Sequence, residues 1–184
     1  MKAQLLIISR KFRHVNPILI LLMVLGLLLS NCGFRLNRNQ ITLPENAQSI
    51  SLQNIENRSF TPRLDILLKD ILIDRFSRNG VEIKSTQLAD LSLTIQINSA
   101  NYIRYVYALD NTTSSYEFIF TITAKLDITL NSNKTLLIRN QLLSGTHSIK
   151  TQSTDLSQTD IADGRENALE NLGDQIIAKL SQNF

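Results

Sequence analysis

Fifteen residues, Tyr116 to Leu130, alternate between apolar and polar almost without a break, and no other stretch restricts the fold so tightly. Tyr116, Phe118, Phe120, Ile122, Ala124, Leu126, Ile128 and Leu130 fall on one side. Glu117, Thr121, Thr123, Lys125, Asp127 and Thr129 fall on the other, with Ile119 the exception. Successive strand residues point to opposite faces, so this is a strand buried on one side and wet on the other. Extended, it runs about 50 Å, long for a small domain. Such a strand needs long neighbours, and the flanking sequence supplies them. Asn131-Ser132-Asn133 turns the chain into a partner strand, Thr135 to Ile149. Upstream, Leu91 to Ile97 alternates cleanly, passes through Asn98 to Asn101, and resumes as Tyr102 to Leu109 before a turn at Asp110-Asn111-Thr112-Thr113. Strands joined as hairpins are antiparallel, with one face free to meet water.

Two helices are expected to cover the buried face. Thr61 reads as an N-cap and Pro62 as the first helical residue. Leu64, Leu67, Leu68, Ile71, Leu72 and Phe76 then recur at helical spacing, with the i,i+4 pairs Asp65/Lys69 and Asp74/Arg78 on the wet side. Asn79-Gly80 ends this helix, glycine supplying the left-handed cap. Six buried side chains of this kind contribute roughly 10 to 15 kcal/mol, so the helix must lie against a core. The second helix starts near Asp155 or Asp160 and runs to Leu180, with Ile161, Ala168, Leu169, Leu172, Ile176, Ile177 and Leu180 as its apolar face. Asp155, Asp160, Asp163 and Glu166 crowd its N-terminal half, where the helix dipole favours acids. A weakly alternating strand at Ser49 to Ile55 and a short one at Val81 to Ile83 complete the set. The economical arrangement is an α+β two-layer sandwich, with both helices on one face of a mostly antiparallel sheet of about four to five strands.

The first 31 residues read differently. Lys2, Arg10, Lys11 and Arg13 precede twelve hydrophobic positions, Ile18 to Leu29, which run into Leu29-Ser30-Asn31-Cys32. A bilayer span needs about 20 apolar residues, so this shorter run reads as a lipoprotein signal peptide. Leu-Ser-x-Cys at this place marks a thiol that is acylated, with the leader cut away just before it, although Asn31 stands where a smaller residue is usual. Several acyl chains on Cys32 would anchor the chain to a membrane, since each buried methylene contributes about 0.8 kcal/mol. Gly33, rather than an aspartate, after the cysteine points to sorting to the outer membrane. The organisation expected is 1–31 signal peptide, 32–47 lipid-anchored tether and 48–184 a single α+β domain. Composition matters here because the leader holds four of the 19 Lys+Arg and none of the 16 Asp+Glu, leaving the mature part 15 against 16. The basic balance therefore belongs to the leader, and nucleic acid is not an expected partner. Cys32 is the only cysteine, so the domain is held by packing alone.

Catalytic chemistry is missing from the pattern. Asp163, Glu166, Glu170 and Asp174 have no histidine among them and lie on the polar side of their helix, a solvated acidic face rather than a metal cluster. His147 stands alone near a strand end, and His14 lies in the leader. There is no nucleophile elbow and no glycine-rich phosphate loop. No metal, cofactor or enzyme activity is expected. Tyr102-Ile103-Arg104-Tyr105-Val106-Tyr107 is more suggestive, since it carries three of the four tyrosines around an arginine. Aromatic and arginine side chains together are typical of interface cores, so Tyr102, Arg104, Tyr105 and Tyr107 are interface candidates. By strand parity Tyr102 opposes Tyr105 and Tyr107 unless a bulge intervenes near Asn98 to Asn101. Some of them could equally complete the hydrophobic face.

The opening Cys32-Gly33-Phe34-Arg35-Leu36, the order of elements, and the terminal helix from Asp163 to Leu180, with its Ala168-Leu169…Leu172…Gln175-Ile176…Leu180 run, resemble the LptE family. Gly173 departs from that pattern, where similar proteins favour alanine; it costs about 1 kcal/mol of helix propensity and would allow a closer approach to the sheet. The resemblance implies a non-enzymatic outer-membrane lipoprotein that plugs the lumen of the LptD β-barrel, assists its assembly and helps deliver lipopolysaccharide to the cell surface. It maps no lipopolysaccharide-contact residue onto this chain. The alternative is a periplasm-facing carrier or binding module for lipid or another envelope component; a lipid carrier would need a large apolar cavity.

Overall fold

The computed structural model describes residues 41–108 and 114–182. The chain divides into two compact units, Met1–Arg38 and Asn39–Phe184, and all described residues lie in the second. Residues 1–31, Cys32 and most of the expected tether, like the turn at 110–113, lie outside the described residues.

The alternating segment forms the spine of a five-stranded sheet. Its strands are β1 (Ser49–Asn57), β2 (Glu82–Ile83), β3 (Leu91–Ala108), β4 (Ser114–Leu130) and β5 (Thr135–Thr151), in the spatial order β2-β1-β3-β4-β5. The β3–β4 and β4–β5 ladders are antiparallel, as hairpins require. However, β1 runs parallel to both β2 and β3, so the sheet is mixed rather than mostly antiparallel. The physical reason lies in the connections. Helix α1 (Leu64–Arg78) carries the chain from the far end of β1 back to its start, so the next strand repeats β1's direction. Residues 84–90 then cross β1 at its base to reach β3. There the buried Ser49 and Ser51 hydroxyls find partners in Asp90 (2.8 Å) and Thr86 (2.9 Å).

Both helices lie on one face of this sheet and share a single core with it. From α1, Leu64, Leu68, Leu72 and Phe76 are buried, a stripe of strict i,i+4 spacing; Ile71 is half-buried and Leu67 exposed. From α2 (Gln158–Leu180), Gly164, Ala168, Leu169, Leu172, Gly173, Ile176 and Leu180 are buried. They meet Leu91, Leu93, Ile95 and Ile97 of β3 and Phe118, Phe120, Ile122, Ala124, Leu126 and Ile128 of β4. The end of the expected tether joins them: Leu43 and Pro44 are buried, and residues Pro44–Asn46 form a 3-10 turn.

The caps follow local chemistry, with one correction. Helix α1 begins at Leu64, not Pro62, and its N-cap is Arg63 in the left-handed region (φ 67°) with no side-chain cap. The Thr61 carbonyl is engaged instead by the Asn57 side-chain amide at 2.7 Å. The C-terminus is a Schellman motif: Val81 N–H reaches the Phe76 carbonyl (3.0 Å), Gly80 N–H reaches that of Ser77 (3.1 Å), and Gly80 takes φ 75°. Helix α2 starts with a capping box in which Ser157 and Asp160 bond each other's backbone amides at 3.1 and 3.0 Å. The Ser157 hydroxyl, which also donates to the Asp160 carboxylate at 2.6 Å, and then the Ser157 amide favour the charged carboxyl and hold it below its ordinary range. Among the described residues no helix is long and apolar enough to cross a membrane.

Three glycines set the layer spacing. A Cβ at Gly145 of β5 would collide with the Ala168 carbonyl and the Leu172 amide of α2, so here helix backbone lies directly on strand backbone. A Cβ at Gly164 would run into the Phe120 ring. Gly173 faces α1 rather than the sheet, with Ile71 Cγ2 3.0 Å from where its Cβ would be. At the same crossing Arg75 of α1 pairs with Asp174 (2.9 Å) and Glu170 (3.7 Å) of α2.

Candidate functional site

Strand β3 is one continuous strand, not two pieces separated at Asn98 to Asn101. Its register against β4 shifts between Ile97 and Ser99, a bulge that leaves Asn98 without an opposite number. The bulge decides which way the aromatic segment faces. Before it, the odd-numbered residues Leu91 to Ile97 point into the core. After it the even-numbered ones do, because Ala100, Tyr102, Arg104 and Val106 stand opposite Ile122, Phe120, Phe118 and Tyr116. Ile103, Tyr105 and Tyr107 stand opposite Ile119, Glu117 and Ser115 on the helix-free face. Tyr102 therefore does oppose Tyr105 and Tyr107, and the bulge places it on the helix side.

Strand β1 stops short of this segment, ending at Asn57, level with Ile97. On β4, Phe118 and Phe120 remain buried opposite Arg104 and Tyr102, with Gly164 of α2 against the Phe120 ring and β5 paired alongside. On β3 itself, residues 101–107 are exposed throughout. Tyr102 (43%), Ile103 (59%), Tyr105 (46%), Val106 (58%) and Tyr107 (50%) form a run of exposed large side chains on both faces of one strand. Large apolar side chains exposed singly are ordinary, but here five fall within six residues.

Each candidate residue has a defined setting. The Tyr102 ring lies 5.1 Å from Phe120 and 6.2 Å from Phe118, tilted on both, which ties the tip to the last layer of core. Arg104 donates to the Thr154 carbonyl (2.9 Å) and lies 5.8 Å over the Tyr116 ring. On the other face Tyr107 Oη donates to Glu117 (2.9 Å), a bond that holds the phenol proton and raises the Tyr107 pKa. Lys150 Nζ stands 3.9 Å from the same carboxylate. Tyr105 has no such tie. Parity alone could not separate Tyr102 from its neighbours in role; the aromatic contacts with Phe118 and Phe120 do so.

Below the tip, the helix-free face is mostly polar. Thr94, Gln96, Thr121, Thr123, Lys125, Asp127, Ser144, Thr146 and Ser148 share it across three strands, interrupted by Ile119 and by the exposed Leu136 and Leu142. At the base, the Asp90 carboxylate accepts from Gln48 N–H (3.0 Å), Ser49 N–H (3.0 Å) and Ser49 Oγ (2.8 Å). These donors, that of Gln48 first, lower its pKa. Asn131 ties the same corner, donating to the Ala89 carbonyl (2.8 Å) and accepting from Ser92 Oγ (2.9 Å). No sequence pattern marks this polar corner, because its members are ordinary polar residues spread over 84 positions of chain from Gln48 to Asn131.

The acidic side chains of α2 come to no common point. Asp163 and Glu166 are exposed, Glu170 and Asp174 are occupied with Arg75, and His147 lies half-buried opposite Phe120. Among the described residues no group of three or more His, Cys, Asp or Glu side chains could hold a metal ion. The concavities at the base, lined by residues of 41–48 and 79–82 or of 87–90 and 130–132, are open clefts rather than an enclosed cavity.

Comparison with known proteins gives one family match: the model of the LptE family, described as lipopolysaccharide-assembly, matches residues 47–180. No curated protein matches the sequence. Solved structures with a similar course include a minor lipoprotein from Acinetobacter baumannii (12% identity, 73% of this chain and 92% of that one, TM-score 0.42). Others are lipoprotein GNA1162 from Neisseria meningitidis (15%, 71% and 98%, TM-score 0.36) and lipoprotein B from Nitrosomonas europaea (15%, 81% and 88%, TM-score 0.40). With identities this low and TM-scores below 0.5, the family match is the ground for assignment.

Proposed function

The chain belongs to the LptE family of lipopolysaccharide-assembly proteins, and from that premise we propose that it is a non-enzymatic outer-membrane lipoprotein, anchored by acyl chains on Cys32, that plugs an LptD-type β-barrel. In this reading it assists assembly of the barrel and helps pass lipopolysaccharide to the cell surface. The observation that carries the proposal is the run from Tyr102 to Tyr107 beyond the end of β1, where five large side chains stand exposed on both faces of β3. A surface of this kind is stable in water only at a cost and is explained by a partner that covers it. The polar Thr- and Ser-bearing face below the tip suits the second requirement, since the interior of an outer-membrane barrel is polar. The close contact of α2 with β5 at Gly145 leaves no room there for a lipid between the layers, which favours the plug over a carrier.

Depletion of the protein tests the reading. The amount of correctly assembled barrel should fall, and the outer-membrane permeability barrier should weaken. Substitutions at His147, Asp163 or Glu166 should leave lipopolysaccharide export intact. Unchanged barrel levels and barrier on depletion would remove the plug reading, and acyl chains recovered with the isolated domain would replace it with the carrier. For the anchor, palmitate labelling should be lost in Cys32→Ala, and its persistence would refute lipidation at that residue.

A further inference from the structure

The tip is bare in a third direction besides its two faces. In the sheet, β3 lies between β1 and β4, but β1 stops at Asn57, level with Ile97. The last main-chain bond between them is from Arg58 N–H to the Ile97 carbonyl, at 2.9 Å. From Ser99 onward, the edge of β3 that points away from β4 has no strand beside it among the described residues. Alternate amides and carbonyls along this stretch have no strand partner among the described residues. Proteins ordinarily blunt such an edge with charge, proline or a bulge. The opposite edge of the sheet is treated that way: the β4–β5 register shifts twice between Leu126 and Thr129, Asn140 takes φ 51°, and Arg139 and Lys150 are exposed. The β3 edge has neither charge nor proline between Ser99 and Tyr107 except Arg104.

We propose that the free edge of β3 from Ser99 to Tyr107 is a strand-addition site, at which an extended segment of the barrel partner continues the lane that β1 leaves empty. This rests on the plug reading and names how the two proteins would join. Main-chain bonding selects an extended segment, and the side chains set its character. Tyr102 and Val106 on one face and Ile103, Tyr105 and Tyr107 on the other ask for a segment apolar on both faces. Arg104 adds a charge requirement. Its guanidinium meets a carbonyl and a ring, and no carboxylate among the described residues, so an acidic residue in the incoming strand would sit beside it. A second copy of this chain fits less well. Antiparallel pairing of two such edges about a centre between Ile103 and Tyr105 would bring two Arg104 guanidinium groups onto one face as neighbours, with like charges opposed.

Hydrogen–deuterium exchange of the full-length protein, purified with and without its barrel, tests the proposal. Amides in 99–107 should exchange about tenfold or more slowly in the complex, as newly bonded strand amides do, while those of 135–151 do not change. Placing a charge on each face of the edge, Ile103→Lys with Val106→Lys, should cut the barrel recovered by about tenfold, with the melting temperature nearly unchanged. Arg104→Glu should lower recovery and Arg104→Lys should restore most of it. A complex that forms with 99–107 exchanging as before would overturn strand addition and leave the plug reading standing. Protection that grows with concentration in the barrel-free protein, with a doubled mass, would overturn it in favour of self-association. If no barrel accompanies the wild-type protein, the plug reading itself fails.

Discussion

The helix-covered part of the sheet and its bare tip are built from the same strand, yet they obey opposite rules. Between Leu91 and Ile97, β3 buries every second residue completely; between Asn101 and Tyr107, no residue is buried. Apolar content does not differ much between the two stretches. What differs is whether β1 runs alongside. In the covered part the side chains contribute to stability by burial, whereas from Asn101 to Tyr107 they stay largely in water. Hydrophobicity along a strand therefore does not by itself report burial in the monomer.

Substitutions can break this contrast or sharpen it. The largest effect is expected at Gly145→Ala, where the new methyl must displace the backbone of α2: about 3 to 5 kcal/mol in urea unfolding, since neither backbone can yield cheaply. Leu68→Ala and Leu172→Ala should each cost about 2 to 5 kcal/mol through the cavities they leave in the covered layer. The same truncation at the tip, in Ile103→Ala or Val106→Ala, should cost less than about 1 kcal/mol, because little area is removed from a residue already in water. Comparable losses in the two regions would show that the tip is core after all.

Acid should separate the regions as well. In the folded protein the Asp90 carboxyl lies below its ordinary 3.8, so folding favours its charged form. Its contribution is complete above that ordinary value and is lost as pH falls through the lowered one. Wild-type protein should therefore lose stability in this range, and Asp90→Asn, already lacking the charge, should show a flatter pH dependence by thermal unfolding. The smallest effect belongs to Glu170→Ala. Arg75 keeps Asp174 as its nearer partner, and exposed pairs are weak, so stability should stay within about 0.5 kcal/mol. A large loss there would mean that the pairing at the helix crossing governs the covered region.

How far the fold could be read in advance depended on whether a feature is local. Tyr116 to Leu130 announced its strand and its buried face, because a period of two is written in the residues themselves. The helix stripes were equally plain, and Leu172 is inside and Glu170 outside as their spacing requires. The direction of β1 was not legible: alternation does not record which neighbour a strand pairs with or which way that neighbour runs. Its own alternation was weak for a reason now visible, a register shift between Ser51 and Asn54 that puts Leu52 and Ile55 on the same side. The start of α1 misled because Thr61 and Pro62 are good capping residues, and the bond from Asn57 to the Thr61 carbonyl cannot be seen from helix signals. Gly173 was read against the wrong neighbour, since a helix glycine does not say whether sheet or helix approaches it. For the candidate site, the aromatic cluster itself stands out, but its exposure and the free edge beside it depend on where β1 happens to stop.

The bulge at Asn98 gives the tip a direction that is independent of its chemistry. Removing Asn98 would leave Ile97 and Ala100 facing the core and Tyr105 facing away, since the register on both sides of the bulge would survive its loss. What would vanish is the bend and extra twist that a bulged strand carries. The hairpin would keep every functional group and point them elsewhere. One residue thus sets the direction of the segment from Ser99 to Tyr107, and deleting it would re-aim that segment without rewriting the core.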